Sequence, residues 1–298
     1  MGTGPGVPRG LPQPRDNDQV IHDYPTQLRS ELRDIAERVA RSAGEIIRSG
    51  PSVRSVVTTK SSAVDPVTQM DLAVERHIRS ELARIRPDDG MLGEEAGFEP
   101  GKSGITWVVD PIDGTVNYLY GLPDYAVSIA AVAGPPEPEL WTGLAGCVHE
   151  VSTARSWVAA AGLGASFEGA PVIPAEPRPL SRSLVGTGFG YRQVRRANQA
   201  RVVSALLPVV RDIRRCGSAA IDICRVASGN LDLFYERGLN PWDVAAAAIV
   251  ATEAGLTVAG LRGRRASTDM TVVGRGEAFE ELVEFLTKLD ADGVEPNV

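Results

Sequence analysis

Three acidic groups in this 298-residue chain stand where a carboxylate does little for a fold. Asp110 and Asp113 follow the apolar run Trp107-Val108-Val109 and precede Gly114-Thr115. Glu94 and Glu95 lie between Gly93 and Ala96-Gly97, in a loop after an apolar pair. Asp243 heads an unbroken run of Ala, Ile and Val, in Asn240-Pro241-Trp242-Asp243. Taken singly, an Asp before Pro serves a turn, and an Asp in the first turn of a helix complements its dipole. Together, carboxylates at a strand end and a helix start that converge on one spot repel each other and resist desolvation. A bound divalent cation offsets both effects, and hard Mg²⁺ takes oxygen ligands at about 2.0–2.1 Å. The three histidines, His22, His77 and His149, stand in unremarkable settings, which argues against a zinc site or a histidine base. The pattern points to magnesium.

The elements that must position these residues are legible in outline. Gln27 to Arg48 carries Leu28, Leu32, Ile35, Val39, Ile46 and Ile47 at helical spacing, closed by Ser49-Gly50-Pro51. Val53 to Thr59 reads as a short strand, and Thr68 to Ile85 as a second helix ended by Pro87. Ile105 to Val109 is a strand that should stop at Asp110. Ala126 to Ala133, Leu140 to His149 and Thr153 to Ala161 suit an antiparallel meander. Gly164 to Pro179 is rich in Pro and Gly and marks a boundary between halves. Beyond it, strands at 184–187, 231–236, 256–258 and 270–273 alternate with helices at 195–210, 218–228, 241–254 and 277–289. The expected organisation is a Pro/Gly-rich tail over 1–25, an α+β half over 26–165 and an α/β half over 166–298, with a cleft between the halves.

Bulk composition narrows the function classes. A net charge of −7 and a pI near 5.2 argue against a general nucleic-acid binder. No run of about 18 apolar residues exists, so no membrane span is expected. The first 25 residues hold no apolar segment of a signal peptide. Cys147, Cys216 and Cys224 form no CxxC pair and read as reduced, mostly buried thiols of a cytoplasmic protein.

Four blocks, in order, resemble the inositol monophosphatase family of the wider lithium-sensitive, magnesium-dependent sugar-phosphatase superfamily. They are Lys60 to Asp71, Gly93-Glu94-Glu95, Trp107 to Tyr118 and Asn240 to Gly255. The resemblance runs from about Leu28 to Leu289 and is closest to actinobacterial members. It implies a layered αβαβα sandwich with the metal site between the halves, a homodimer, and Mg²⁺-dependent hydrolysis of inositol 1-phosphate with two to three ions. By the same resemblance, Glu94, Asp110 and the carbonyl of Ile112 would hold one ion, and Asp110, Asp113 and Asp243 a second. Glu94 would also face a third, weaker ion. Thr115, with Asp71 behind it, would orient and deprotonate the attacking water, and Glu95 would act from behind the ligands. Gly114 and Thr115 amides would receive phosphate oxygens. Gly217, Ser218, Ala219 and Glu236 would meet the polyol hydroxyls, alongside Asp113 and Asp243. A metal pair about 3.5–4 Å apart activates water and neutralises the phosphoryl group without a covalent intermediate. Two departures from the family pattern are Val116, where many members have a second Thr, and Pro241.

Alternatives remain open. The same metal blocks serve fructose 1,6-bisphosphate, histidinol phosphate, NADP and adenosine 3′,5′-bisphosphate, and only the residues facing the leaving group discriminate. Glu236 suits neutral hydroxyls, whereas a second phosphate would want Arg or Lys. A protein binding transcription or RNA-processing machinery is the alternative of a different class. Gly186-Thr187-Gly188-Phe189-Gly190 has the wrong spacing for a dinucleotide loop and reads as a tight strand exit. Arg195, Arg196, Arg211, Arg214 and Arg215 read as a solvated face or a subunit contact, and the alanine run of Val244 to Ala251 as close helix packing. Lys60 is open between a surface charge and a place near the site.

Overall fold

The computed structural model describes residues 21, 23–50, 56–59, 66–135 and 137–293. Lys60, Asp65 and most of the 1–25 tail lie outside the described residues. The first helix, α1 (Thr26–Ser49), has the expected span. A small antiparallel pair, β1 (Val56–Thr59) and β2 (Pro66–Thr68), leads into α2 (Gln69–Ile85). Thr68 caps α2: its hydroxyl accepts from the Met70 and Asp71 amides, and the Asp71 carboxylate accepts from the Thr68 amide at 2.8 Å. That reciprocal box fixes both the start of α2 and the direction of Asp71.

Eight strands form the first sheet, in the order β10-β9-β8-β7-β6-β5-β3-β4. They are β3 (Gly90–Gly93), β4 (Gly97–Glu99), β5 (Ile105–Asp113), β6 (Ala126–Ala133), β7 (Thr142–Glu150), β8 (Arg155–Ala160), β9 (Gly164–Phe167) and β10 (Ala170–Pro171). Strands β6 to β8 make the meander expected from the sequence, and β5 extends it antiparallel to β6. The composition break at 165/166 falls within β9, and β9 and β10 still belong to this sheet. Five strands form the second sheet, in the order β12 (Asp212–Arg214), β11 (Leu184–Thr187), β13 (Leu233–Glu236), β15 (Thr271–Gly274) and β14 (Thr257–Ala259). Four longer helices complete this half: α4 (Gln193–Leu206), α5 (Ala219–Ala227), α6 (Pro241–Glu253) and α7 (Gly276–Lys288), with the short α3 (Thr115–Tyr120) just after β5.

Alternation along the strands explains the layering. Trp107 and Val109 of β5, with Val127, Ile129 and Ala131 of β6, pack beneath Leu32, Ala36, Val39 and Ala43 of α1 and Val74 and Ile78 of α2. The opposite face of the same strands, through Val108, Ala130 and Val132, packs against α5 and α6, which also meet Phe234 and Val273 of the second sheet. That sheet's far side, through Val185, Leu233 and Val272, is covered by Phe279, Leu282 and Leu286 of α7 and Val202 and Leu206 of α4. The order is therefore helices, sheet, helices, sheet, helices: the αβαβα sandwich. The alanine run of α6 is close packing, as expected. A Cβ on Gly146 of β7 would stand only 3.0 Å from Ala246 Cα and 2.9 Å from its carbonyl oxygen. No described helix is long and apolar enough to cross a membrane.

Candidate active site

The sequence places a strand end at Asp110, but β5 runs on to Asp113. Asp110 faces Ser128 of β6 and Asp113 faces Ala126, so Pro111 and Ile112 together oppose Val127 alone. Proline lacks the amide that a regular ladder needs, and the extra residue is taken up as a bulge. In an unbroken strand, residues three apart point to opposite faces. The bulge resets the alternation, and both carboxylates reach one cluster. Beside β5 runs the parallel strand β3, with Gly93 level with Val109. Glu94 follows at once, and its amide donates to the Val109 carbonyl at 3.2 Å. Asp243 arrives from the other side, at the start of α6, where Ser128 Oγ donates to the Trp242 carbonyl at 3.3 Å.

Carboxylate oxygens of Asp110, Asp113 and Asp243 lie within 4.8 Å of one another. Each acid is braced locally. Asp110 Oδ1 accepts from the Ile112 amide at 3.0 Å, and Asp243 Oδ2 from the Asn240 amide at 2.7 Å. Asp113 Oδ2 accepts from Ser218 Oγ at 2.6 Å and the Ala220 amide at 2.7 Å, both from the start of α5. Thr115 Oγ1 lies 3.2 Å from Asp71 Oδ1 and 3.1 Å from the Ile112 carbonyl, as donor to either. Gly114 has φ of 98°, and a side chain there would strike the Asp124 and Gly217 carbonyls. Only glycine makes that turn from strand to helix without strain. Asn117 ties α3 across the cleft, donating to the Cys216 carbonyl at 2.8 Å and the Asp124 carbonyl at 2.6 Å.

These groups open on a cavity of about 480 Å³, whose lining includes Glu94, Thr115, Gly217, Ala219, Glu236 and Asp243. Burial lifts the Asp113 carboxyl from 3.8 to about 6, against the opposing pull of its Ser218 and Ala220 bonds. Asp243 is pushed well above the carboxylate range, first by burial and then by the charges of Glu94 and Asp113. Glu236 rises to about 8, again mainly by burial, with Arg215 pulling the other way. Burial leads all three shifts, and at Asp243 and Glu236 the neighbouring acids add to it. A cation fits this set: the donors are oxygens only, they converge, and a positive charge would relieve both burial and repulsion.

Other placements depart from expectation. Arg195 and Arg215 do not belong to a plain solvated face; both line the cavity, with Arg192, Phe189 and Tyr191. The strand exit at Gly186 to Gly190 forms part of the same wall. A Cβ on Gly188 would overlap the Glu236 carboxylate, and one on Gly190 would stand 2.7 Å from Arg195 Cδ. Sequence reasoning also missed Asp222, which burial raises to about 6 at the back of the pocket. Its signal was an acid inside the apolar helix α5. Cys216 is raised to about 11 by burial, and Cys147 and Cys224 are buried, so all three thiols are inert as bases. Buried His149, bonded through Nδ1 to Ser156 at 2.9 Å, is lowered to about 4 and lies outside the pocket lining.

Comparison with known proteins agrees with this architecture. A model of the inositol monophosphatase family matches residues 28–288. An inositol-1-monophosphatase of Mycobacterium leprae is 44% identical over 247 residues, covering 76% of this chain and 83% of that protein. The solved structure of Mycobacterium tuberculosis SuhB superposes with a TM-score of 0.72 at 39% identity, covering 88% of this chain and 98% of that one. A protein of Xylella fastidiosa named Nus factor SuhB is 37% identical over 77% of this chain and 82% of its own. The fold and site define a phosphatase of the metal-dependent, layered-sandwich kind. The chain belongs to the inositol monophosphatase family.

Proposed function

We propose that this protein hydrolyses inositol 1-phosphate to inositol and phosphate with Mg²⁺ as the cation. The observation that carries the reading is the convergence of Asp110, Asp113 and Asp243 within 4.8 Å, beside the Thr115–Asp71 pair. In this reading Glu94, Asp110, Asp113, Asp243 and the Ile112 carbonyl hold two to three ions. When bound, Mg²⁺ lowers the pKa of water and neutralises the phosphoryl oxygens. Thr115, hydrogen-bonded to Asp71, would take a proton from the attacking water as its own hydroxyl proton passes to the Asp71 carboxylate, which is neutralised. Glu95, whose amide is fixed at the turn after β3, supports the same group of acids. Gly114 and Thr115 amides receive phosphate oxygens, and Gly217, Ser218, Ala219 and Glu236 face the polyol. Curated mycobacterial relatives named inositol-1-monophosphatase support the substrate.

Arg192, Arg195 and Arg215 in the cavity wall favour a second reading on the same chemistry, a substrate with a second anionic group. The Nus factor names among relatives support a separate role in binding transcription machinery. A phosphate-release panel tests the two enzymatic readings together. It takes inositol 1-phosphate, fructose 1,6-bisphosphate, histidinol phosphate, NADP and adenosine 3′,5′-bisphosphate, each with Mg²⁺, EDTA or added Li⁺. Magnesium-dependent release, fastest from inositol 1-phosphate, is expected. Preference for a bisphosphate moves the assignment to the second reading, and no turnover on any substrate sinks the enzymatic one.

A further inference from the structure

Glu75 is a buried acid that the chemistry above does not use. It lies one helical turn after Asp71 on α2, on the same face as Ile78 and Leu82, and is 2% exposed. Its carboxylate accepts from two successive amides, Glu95 through Oε2 at 2.7 Å and Ala96 through Oε1 at 2.9 Å. Arg79, one further turn along, pairs with Glu75 Oε1 at 3.1 Å and donates to the Gly97 carbonyl at 2.8 Å. Two side chains of α2 therefore grip the whole turn between β3 and β4. Gly93 completes the fit, because a Cβ there would overlap the Glu75 carboxylate. On the opposite side the Glu94 amide is held by Val109 of β5. Glu94 thus sits between its own amide's bond to β5 and the two following amides held by Glu75.

The choice of a carboxylate is specific. A buried carboxylate is costly, and here it meets two amides that an apolar side chain would leave unpaired. A carboxylate sets one oxygen against each of the two adjacent amides, as Glu75 does. We infer that Glu75, held by Arg79, is a positioning residue that fixes the backbone of Glu94 so that its carboxylate meets the cation, an inference that rests on Glu94 being a cation ligand. Neither side chain lines the cavity. Partners of this kind behind metal ligands are worth about 10- to 100-fold in metal affinity.

Glu75→Gln keeps the shape but turns an amide donor against one of the two backbone N–H groups. Wild type, Glu75→Gln and Arg79→Gln are compared in three measurements: Mn²⁺ binding by electron paramagnetic resonance, Mg²⁺ dependence of phosphate release, and thermal unfolding in EDTA. In Glu75→Gln the Mn²⁺ Kd and the half-saturating Mg²⁺ rise together by about 10- to 100-fold, while kcat at saturating cation is largely recovered. Arg79→Gln moves both in the same direction by less. A lower unfolding midpoint in EDTA with wild-type Mn²⁺ affinity is the outcome of a merely structural role and overturns the inference. Should Glu75→Gln fail to fold, Arg79→Gln decides: weakened Mn²⁺ binding supports the inference and unchanged binding overturns it. A wild-type protein that binds no Mn²⁺ overturns the cation reading of the site, and this inference with it. Wild-type binding with unchanged variants overturns this inference alone.

Discussion

Asp113→Asn separates the two costs that meet at this site. Burial raises the Asp113 carboxyl from 3.8 when solvated to about 6 in the folded protein. The folded state holds its proton longer than the unfolded state. Ionisation therefore penalises folding progressively between about pH 4 and 6 and fully above 6, by about 3 kcal/mol in the cation-free protein. Asparagine is a neutral near-isostere whose oxygen can still accept from Ser218 and Ala220. The cation-free variant should be more stable than wild type at pH 8, with a thermal midpoint roughly 5 °C higher, and nearly equal to it at pH 4. Wild type should regain stability on adding Mg²⁺ at pH 8, by a margin that shrinks as pH falls and protons compete at Asp113 and Asp243. The variant should respond little to Mg²⁺ and release almost no phosphate. Differential scanning calorimetry at both pH values, with EDTA or Mg²⁺, reads all of this. A variant less stable than wild type in EDTA at pH 8, yet active with Mg²⁺, would refute the reasoning.

Thr115→Ala should cut kcat about 100-fold or more while Mn²⁺ affinity stays at the wild-type value, since the hydroxyl orients water and is not a ligand in this reading. Parallel phosphate-release and Mn²⁺-binding titrations check the split. Gly146→Ala places a Cβ against the backbone of α6 at Ala246, which should cost about 1–3 kcal/mol and displace the helix that carries Asp243. A lowered unfolding midpoint together with reduced turnover is expected, and an unchanged midpoint would contradict the packing.

Local pattern carried much of the fold. α1, α2 and the meander were legible because capping, helical spacing and alternation are properties of neighbouring residues. Thr68 and Asp71 even announce their box three residues apart. Strands β3 and β4 were not legible: Gly90-Met91-Leu92-Gly93 has two glycines and no alternation, and it is a strand only because β5 lies beside it. The passage of β5 beyond Asp110 was hidden for the same reason, since a bulge is defined by the partner strand. Acids at strand ends and helix starts could be picked out one by one, and family resemblance supplied their grouping. Arg195, Arg215 and Glu75 belong to the site or its support through packing between distant segments, which spacing along one chain does not encode. For Glu75 a trace existed, an acid on the apolar face of α2 shared by Asp71, Ile78 and Leu82.

Everything turns on whether a cation sits among Asp110, Asp113 and Asp243. Crystals grown with Mn²⁺ and measured at the manganese absorption edge read this directly. A strong anomalous peak within coordination distance of all three carboxylates, lost in Asp243→Asn crystals grown the same way, is the expected result. Well-diffracting wild-type crystals with no peak among those acids, from protein that hydrolyses its substrate in the same Mn²⁺ solution, would contradict it.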